Sequence, residues 1–115
     1  MSPLAYRDGV LELDGTPLAP LAAAHGTPLY VYAAGEIRRR LARLEEAFAP
    51  AAPLFCYALK ANPTLAVVAT LARAGAGADV VSGGELARAQ AAGVAPERIV
   101  FAGVGKSRAE IEQGL

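Results

Sequence analysis

The sequence is poor in the residues that build disulfides and metal centres. Its 115 residues include one cysteine, Cys56, one histidine, His25, and no tryptophan. One cysteine cannot form an internal disulfide, and with a single histidine it cannot supply the usual ligands of a structural zinc ion. We therefore expect no metal site and a reducing, cytoplasmic environment.

The sequence also has no excess of charge and no long apolar run. Its 11 basic residues balance 11 acidic residues, so the formal net charge at pH 7 is zero. Nucleic-acid-binding proteins usually present a basic surface, and a membrane-spanning helix needs about 18 consecutive apolar residues. The first ten residues lack the apolar stretch of a secretory signal. We expect neither nucleic acid nor a membrane as partner.

The first third of the sequence contains short elements separated by turn signals. Val10–Leu13 alternates apolar and polar residues like a strand, and Asp14–Gly15 behind it is typical of a hairpin turn. Leu21–His25 predicts a short helical segment that ends at the next glycine. Leu29–Tyr32, with aromatic and β-branched residues, predicts another strand.

A single amphipathic helix follows this region. Four apolar residues share one helical face, at Ile37, Leu41, Leu44 and Phe48. The arginines between them, Arg38–Arg40 and Arg43, could form a phosphate or nucleic-acid patch. A solvated helix face is the interpretation we favour, because glutamates follow the arginines closely.

Strands and helices then alternate regularly. Short apolar runs predict three strands, at Leu54–Leu59, Ala78–Val81 and Ile99–Ala102. Each run precedes a helix-start signal: Asn62-Pro63, the capping box Ser82/Glu85, and the capping box Ser107/Glu110. Repeated strand–helix units of this size form parallel sheets, in a (β/α)8 barrel or in an open doubly wound sheet. The pattern leaves these two folds open.

In either fold, active sites lie at the carboxyl ends of the strands. Lys60 directly follows the first apolar strand, where its amine could act as a nucleophile. Asp79 lies inside the second strand, and a carboxylate there is costly unless it is paired. Its partner is either Lys60 on the neighbouring strand or nearby backbone amides.

Other motifs carry less weight. Gly103–Ser107 resembles a phosphate-binding loop, but Val100 occupies the position of the first glycine that such a loop requires. No Ser/His/Asp triad is credible: His25 is expected at the surface. Cys56, in an apolar strand, is expected in the core.

Four segments together resemble one family of enzymes. They occur in order along the chain, at residues 26–32 (GTPLYVY), 57–62 (YALKAN), 77–86 (GADVVSGGEL) and 101–107 (FAGVGKS). The sequence resembles the amino-terminal part of the diaminopimelate decarboxylases, which belong to the alanine-racemase-like class of pyridoxal-phosphate enzymes.

The resemblance implies a fold, a cofactor and a reaction. The fold would comprise the first β/α units of a pyridoxal-phosphate-binding (β/α)8 TIM barrel at residues 33–115. Residues 1–32 would form an arm that pairs with a further, all-β domain. Lys60 would carry pyridoxal 5′-phosphate, Asp79 would lie beside the lysine and the cofactor, and Ala58 would lie under the cofactor. The reaction would be decarboxylation of an amino acid, meso-diaminopimelate to L-lysine, in a homodimer.

Three alternatives stay open beside this interpretation. The substrate could be that of an ornithine or arginine decarboxylase, or the chemistry that of an amino-acid racemase. A truncated, non-catalytic relative acting as an interaction protein is the third. The hydrophobic set makes up 54% of the chain, but much of it is alanine, which buries little area. We therefore expect an amino-terminal fragment, inactive alone and poorly soluble, with exposed apolar patches.

Overall fold

A computed structural model of the protein describes residues 3–115. The chain begins with a three-stranded antiparallel sheet of β1 (Leu4–Arg7), β2 (Val10–Leu13) and β3 (Thr16–Pro17). Its two turns, Asp8–Gly9 and Asp14–Gly15, have positive φ at both residues, as the type I′ hairpin turn requires. The sequence pattern predicts β2 and the second turn but not β1 or the first turn.

Helix α1 (Leu18–His25) follows, and the chain then runs without regular structure up to Ala33. The predicted strand at Leu29–Tyr32 is therefore wrong. Its residues have the composition of a strand, but no strand in the described part of the chain pairs with them. Their side chains are exposed, Tyr30 to 85%.

Helix α2 (Ala34–Phe48) confirms the predicted amphipathic helix, and a 3-10 turn over Ala49–Ala51 ends it. Its arginines face solvent, as expected. The guanidinium of Arg39 lies 2.8 Å from Asp14 and 3.0 Å from Glu36, which also binds Arg40 at 2.7 Å. The pairs with Arg40 and then Arg39 lower the pKa of Glu36, and the Asp14–Arg39 pair joins the second turn of the antiparallel sheet to α2.

The remainder forms three β/α units, as predicted. The strands are β4 (Cys56–Ala58), β5 (Gly77–Val80) and β6 (Ile99–Phe101), parallel, with β5 in the centre. Each strand is followed by a helix: α3 (Leu65–Arg73), α4 (Gly83–Ala91) and α5 (Arg108–Gly114). Short 3-10 turns span Leu59–Ala61 and Pro96–Arg98.

Helices cover one face of this parallel sheet. The buried core contains Leu59, Val68, Ala78, Val80, Leu86, Ala89, Ala92 and Val94. Because side chains alternate along a strand, Ala78 and Val80 point toward the helices and Asp79 points to the other face. That second face, which we call the open face, is not covered by any helix in the described part of the chain.

Helix starts depart in detail from their predicted positions. Helix α3 begins at Leu65, because the Asn62 side chain accepts the Thr64 N–H at 3.0 Å in a turn before the helix. The prediction that Asn62 caps α3 and that Pro63 is its first residue is therefore wrong. The capping box at Ser107 is complete. At α4, Ser82 caps as expected, but the Glu85 carboxylate binds the Val81 N–H instead of closing the box.

Many large apolar side chains are exposed in the described part of the chain. Val104 and Leu115 are fully exposed, and Phe48, Tyr32 and Val100 about half so. Within residues 3–115, no helix combines the length and the hydropathy that crossing a membrane requires.

Gly77, the first residue of β5, leaves no room for a side chain. A β-carbon there would collide with the backbone oxygen of Arg98 and lie 2.9 Å from the Cys56 sulfur. We expect Gly77→Ala to lower the free energy of unfolding by about 1–3 kcal/mol, because a backbone atom cannot rotate away. Urea denaturation measures this loss. Gly84→Ala, which meets only open space and the Ser82 hydroxyl at 3.9 Å, is the control and should cost nothing.

Candidate active site

Three residues lie side by side across the open face. Ala58 of β4 is in register with Asp79 of β5, which is in register with Val100 of β6. In-register residues of parallel strands point to the same side of the sheet. The small Ala58 side chain therefore leaves space next to the Asp79 carboxylate.

Lys60 lies at the carboxyl edge of β4, in the turn Leu59–Ala61. The turn is anchored on one side by Leu59, which is completely buried. On the other side the Tyr57 hydroxyl donates to the Asn62 backbone oxygen at 3.2 Å, and burial raises the pKa of Tyr57. Lys60 itself is exposed and forms no hydrogen bond or ion pair with any described residue. A fixed turn therefore presents a free amine.

Asp79 does not have the partner that the sequence predicts. Its Oδ1 is buried and accepts no hydrogen bond from any residue between 3 and 115, and no ion pair joins it to Lys60. The predicted Lys60–Asp79 pair is therefore wrong. The chain leaves strand β4 after Ala58, so the residue opposite Asp79 is Ala58 and not Lys60. The alternative of backbone amides as partners fails for Oδ1 as well. This oxygen is available to a donor from a ligand.

The turns that follow β5 and β6 meet beside this row. The Gly83 N–H donates to the Glu110 carboxylate at 3.0 Å, across 27 residues of sequence. The capping-box pattern identified Glu110 as a partner of Ser107, but no sequence signal indicated the contact with Gly83. It joins two neighbouring β/α units at the edge where Lys60 lies.

The remaining candidates play no part in this arrangement. The Lys106 amine donates to the Gly103 backbone oxygen at 2.9 Å, and its Nζ lies 5.1 Å from the centre of the Phe101 ring. The amine therefore binds within its own loop. His25 is exposed, as expected, and Cys56 is half-buried on the open face. No group of three metal-ligating side chains occurs in the described residues.

Acidification is expected to loosen the start of α5. The backbone N–H groups of Ser107 and then Gly83 lower the pKa of Glu110 below its ordinary value of 4.5. A carboxyl group whose pKa is lower in the folded state stabilises the fold above pH 4.5, and this contribution is lost as the pH falls below that value. Urea denaturation between pH 7 and about pH 3 should show a shallower acid limb for Glu110→Gln. Glu112→Gln, in an exposed pair with Arg108, should keep the original profile.

In parallel β/α folds, active sites lie at the carboxyl edge of the sheet, and that is the edge at which Lys60 lies. Residues 34–115 match the family described as pyridoxal-dependent decarboxylase, pyridoxal binding domain. The chain belongs to this family, which confirms the resemblance seen in the sequence. Pyridoxal phosphate is the cofactor of this family, as predicted.

Individual relatives agree with this assignment. A diaminopimelate decarboxylase of Aquifex aeolicus is 52% identical over 97% of this chain and 26% of its own length. The structure of the M. jannaschii diaminopimelate decarboxylase in complex with L-lysine matches with a TM-score of 0.92 and 39% identity, over 99% of this chain and 28% of that one.

A decarboxylase named for different substrates is less similar to this chain in sequence and structure. The lysine/ornithine decarboxylase of Vibrio vulnificus, complexed with putrescine, matches with a TM-score of 0.77 and 27% identity, over 84% of this chain and 26% of that one. The structures confirm the predicted fold class, β/α units of a pyridoxal-phosphate-binding (β/α)8 barrel. The chain spans about a quarter of the length of the relatives it matches.

The residues present fit pyridoxal phosphate. The cofactor is an aldehyde with an anionic phosphate and a polar ring, and it needs an amine to hold it. Lys60 offers a free amine, Ala58 leaves space on the open face, and the unpartnered Asp79 Oδ1 offers an acceptor.

Asp79→Asn is expected to stabilise the protein while it weakens cofactor uptake, because the amide oxygen that remains is a weaker hydrogen-bond acceptor than a carboxylate oxygen. A buried carboxylate oxygen without a partner is costly, and a neutral amide lowers that cost, so the free energy of unfolding should rise by about 1 kcal/mol. Urea denaturation and titration with pyridoxal phosphate measure the two effects. A variant that is less stable than the parent would contradict the absence of a protein partner.

Proposed function

We propose that this chain is the lysine-bearing part of a diaminopimelate decarboxylase, which releases CO2 from meso-diaminopimelate and yields L-lysine. The observation that carries the proposal is the free Lys60 amine, presented by a fixed turn at the carboxyl edge of the sheet. Identity supports the choice of substrate: it reaches 52% with a diaminopimelate decarboxylase and is 27% with the lysine/ornithine decarboxylase.

Each site residue has a separate role in this proposal. Lys60 holds the cofactor through its amine, and the buried Leu59 keeps that amine at the edge of the sheet. Ala58 gives the cofactor space, and Asp79 orients it by accepting a hydrogen bond at Oδ1. When bound, pyridoxal phosphate supplies the electron sink for the bond that breaks as CO2 leaves.

The domain division is also part of the proposal. Residues 1–32 form an arm and residues 33–115 a partial pyridoxal-phosphate-binding barrel. The separate antiparallel sheet of the arm supports this division. The Asp14–Arg39 pair, at 2.8 Å, would fix the arm against the barrel part.

The proposal extends to partners and location. The substrate is a small amino acid, which the L-lysine complex of the M. jannaschii relative supports. The resemblance supports a homodimer, a biosynthetic role supports the cytoplasm, and the zero net charge supports a protein without nucleic-acid partners.

A chimaera tests the proposal. Residues 1–115 replace the corresponding quarter of the Aquifex aeolicus enzyme, and the product is assayed with diaminopimelate, ornithine and arginine, and for racemisation. We expect decarboxylation of diaminopimelate that Lys60→Arg abolishes. A folded chimaera that takes up pyridoxal phosphate without decarboxylating any amino acid would instead favour a non-catalytic relative.

A further inference from the structure

The turn that follows β5 is held by two carboxylates from different β/α units. The Val81 N–H donates to Glu85 at 2.8 Å, and the Gly83 N–H donates to Glu110 at 3.0 Å. Glu85 lies in the helix that the turn itself begins, whereas Glu110 lies in the next helix. The second bond is therefore a link between units.

Glu110 divides its two oxygens between two turns. Its Oε2 accepts both the N–H and the hydroxyl of Ser107, each at 2.9 Å. These contacts complete the capping box of α5 without any help from Oε1. The bond from Oε1 to Gly83 is thus additional to the cap.

Close packing makes this link stiff. A β-carbon at Gly83 would lie 3.0 Å from the Gln113 side-chain oxygen and 3.4 Å from Cγ of Glu110. Helix α5, through Glu110 and Gln113, therefore lies directly against the start of α4. A shift of one turn moves the other.

We propose that Glu110 is a positioning residue for the candidate active site. By holding Gly83, it fixes the turn after β5 and with it the end of the strand that carries Asp79. Asp79 lies two residues before Val81, and no hydrogen bond from a described residue holds its buried Oδ1, so the position of this oxygen depends on the backbone of β5. The inference deepens the proposed function and rests on it for the identity of the ligand, pyridoxal phosphate.

Two substitutions at one position isolate the bond. Gly83→Pro removes the N–H donor, and proline is tolerated at the first residue of a helix, which Gly83 occupies in α4. The preceding Ser82, at φ −151° and ψ 160°, already has the extended conformation that proline requires. Gly83→Ala introduces a β-carbon at the same place but keeps the donor, so it is the matched control.

Amide hydrogen exchange is the first measurement, because it does not depend on the cofactor. Gly83→Pro and Glu110→Ala should each accelerate exchange at Val80 and Val81 by about tenfold relative to Gly83→Ala. Ser107→Ala, which removes only the cap, should accelerate exchange in α5 and leave β5 unchanged.

Titration with pyridoxal phosphate is the second measurement. Gly83→Pro and Glu110→Ala should each weaken its capture by Lys60 by about tenfold, and the double variant should be no weaker than either single variant. Ser107→Ala should bind as the parent does, which separates positioning from a general loss of stability.

The outcomes separate the two proposals. If Glu110→Ala changes only α5, as Ser107→Ala does, or if Gly83→Pro behaves as Gly83→Ala, then Glu110 is a helix cap and the inference is wrong. If exchange in β5 responds as expected but Lys60 never captures pyridoxal phosphate, the positioning of β5 stands and the proposed function fails.

Discussion

Lys60→Arg is expected to abolish the covalent capture of pyridoxal phosphate. Arginine keeps the positive charge and much of the length of the side chain, but its guanidinium stays protonated and does not act as an amine nucleophile. Lys60 is exposed and has no described partner, so the substitution should leave the fold intact. Loss of capture would then report chemistry and not stability.

The labelled residue is easy to assign, because Lys60 and Lys106 are the only lysines of the sequence. Borohydride reduction followed by peptide mass spectrometry locates the attached group. Lys106→Arg is the control, since Lys106 donates to the Gly103 oxygen in its own loop. We expect labelling of Lys60 in the parent protein and in Lys106→Arg. In Lys60→Arg the labelling should fall at least about tenfold, to about the limit of detection. Equal labelling in all three proteins would refute the role of Lys60.

The second large effect is expected for Leu59→Ala. Leu59 is completely buried in the core between the sheet and its helices, and its loss leaves a cavity. The free energy of unfolding should fall by about 2–5 kcal/mol, a large part of the stability of a domain this small. Because Leu59 also anchors the turn that presents Lys60, capture of pyridoxal phosphate should weaken at temperatures where the variant is still folded.

Leu65→Ala provides the comparison. Leu65 begins α3 and is 45% exposed, so the same truncation should cost less than about 1 kcal/mol. Urea denaturation of both variants measures the difference. Similar losses at the two positions would show that Leu59 is not part of a packed core.

The β/α alternation could be predicted from the sequence because its signals are local. An apolar run followed by a capping serine fixes a strand and a helix start within about ten residues. Such local signals predict the three parallel strands and the caps at Ser82 and Ser107. Lys60 was found for the same reason, since it directly follows an apolar run.

The wrong predictions, and a contact that was not predicted, concern residues distant in sequence. Leu29–Tyr32 has strand composition, but composition does not supply a neighbouring strand. The pairing of Lys60 with Asp79 follows from a strand that runs to Leu59, whereas β4 ends at Ala58 and a 3-10 turn begins at Leu59. The Gly83–Glu110 bond spans two units, and no local pattern encodes it.

The three-stranded parallel sheet has a further consequence for the protein in solution. Strands β4 and β6 each pair only with β5 among the described residues, so each has an outer row of backbone donors and acceptors without a strand beside it. Such rows are templates for edge-to-edge growth between chains. The arrangement that aligns Ala58, Asp79 and Val100 thus also leaves, on each side of this row, a backbone edge to which a further strand can pair.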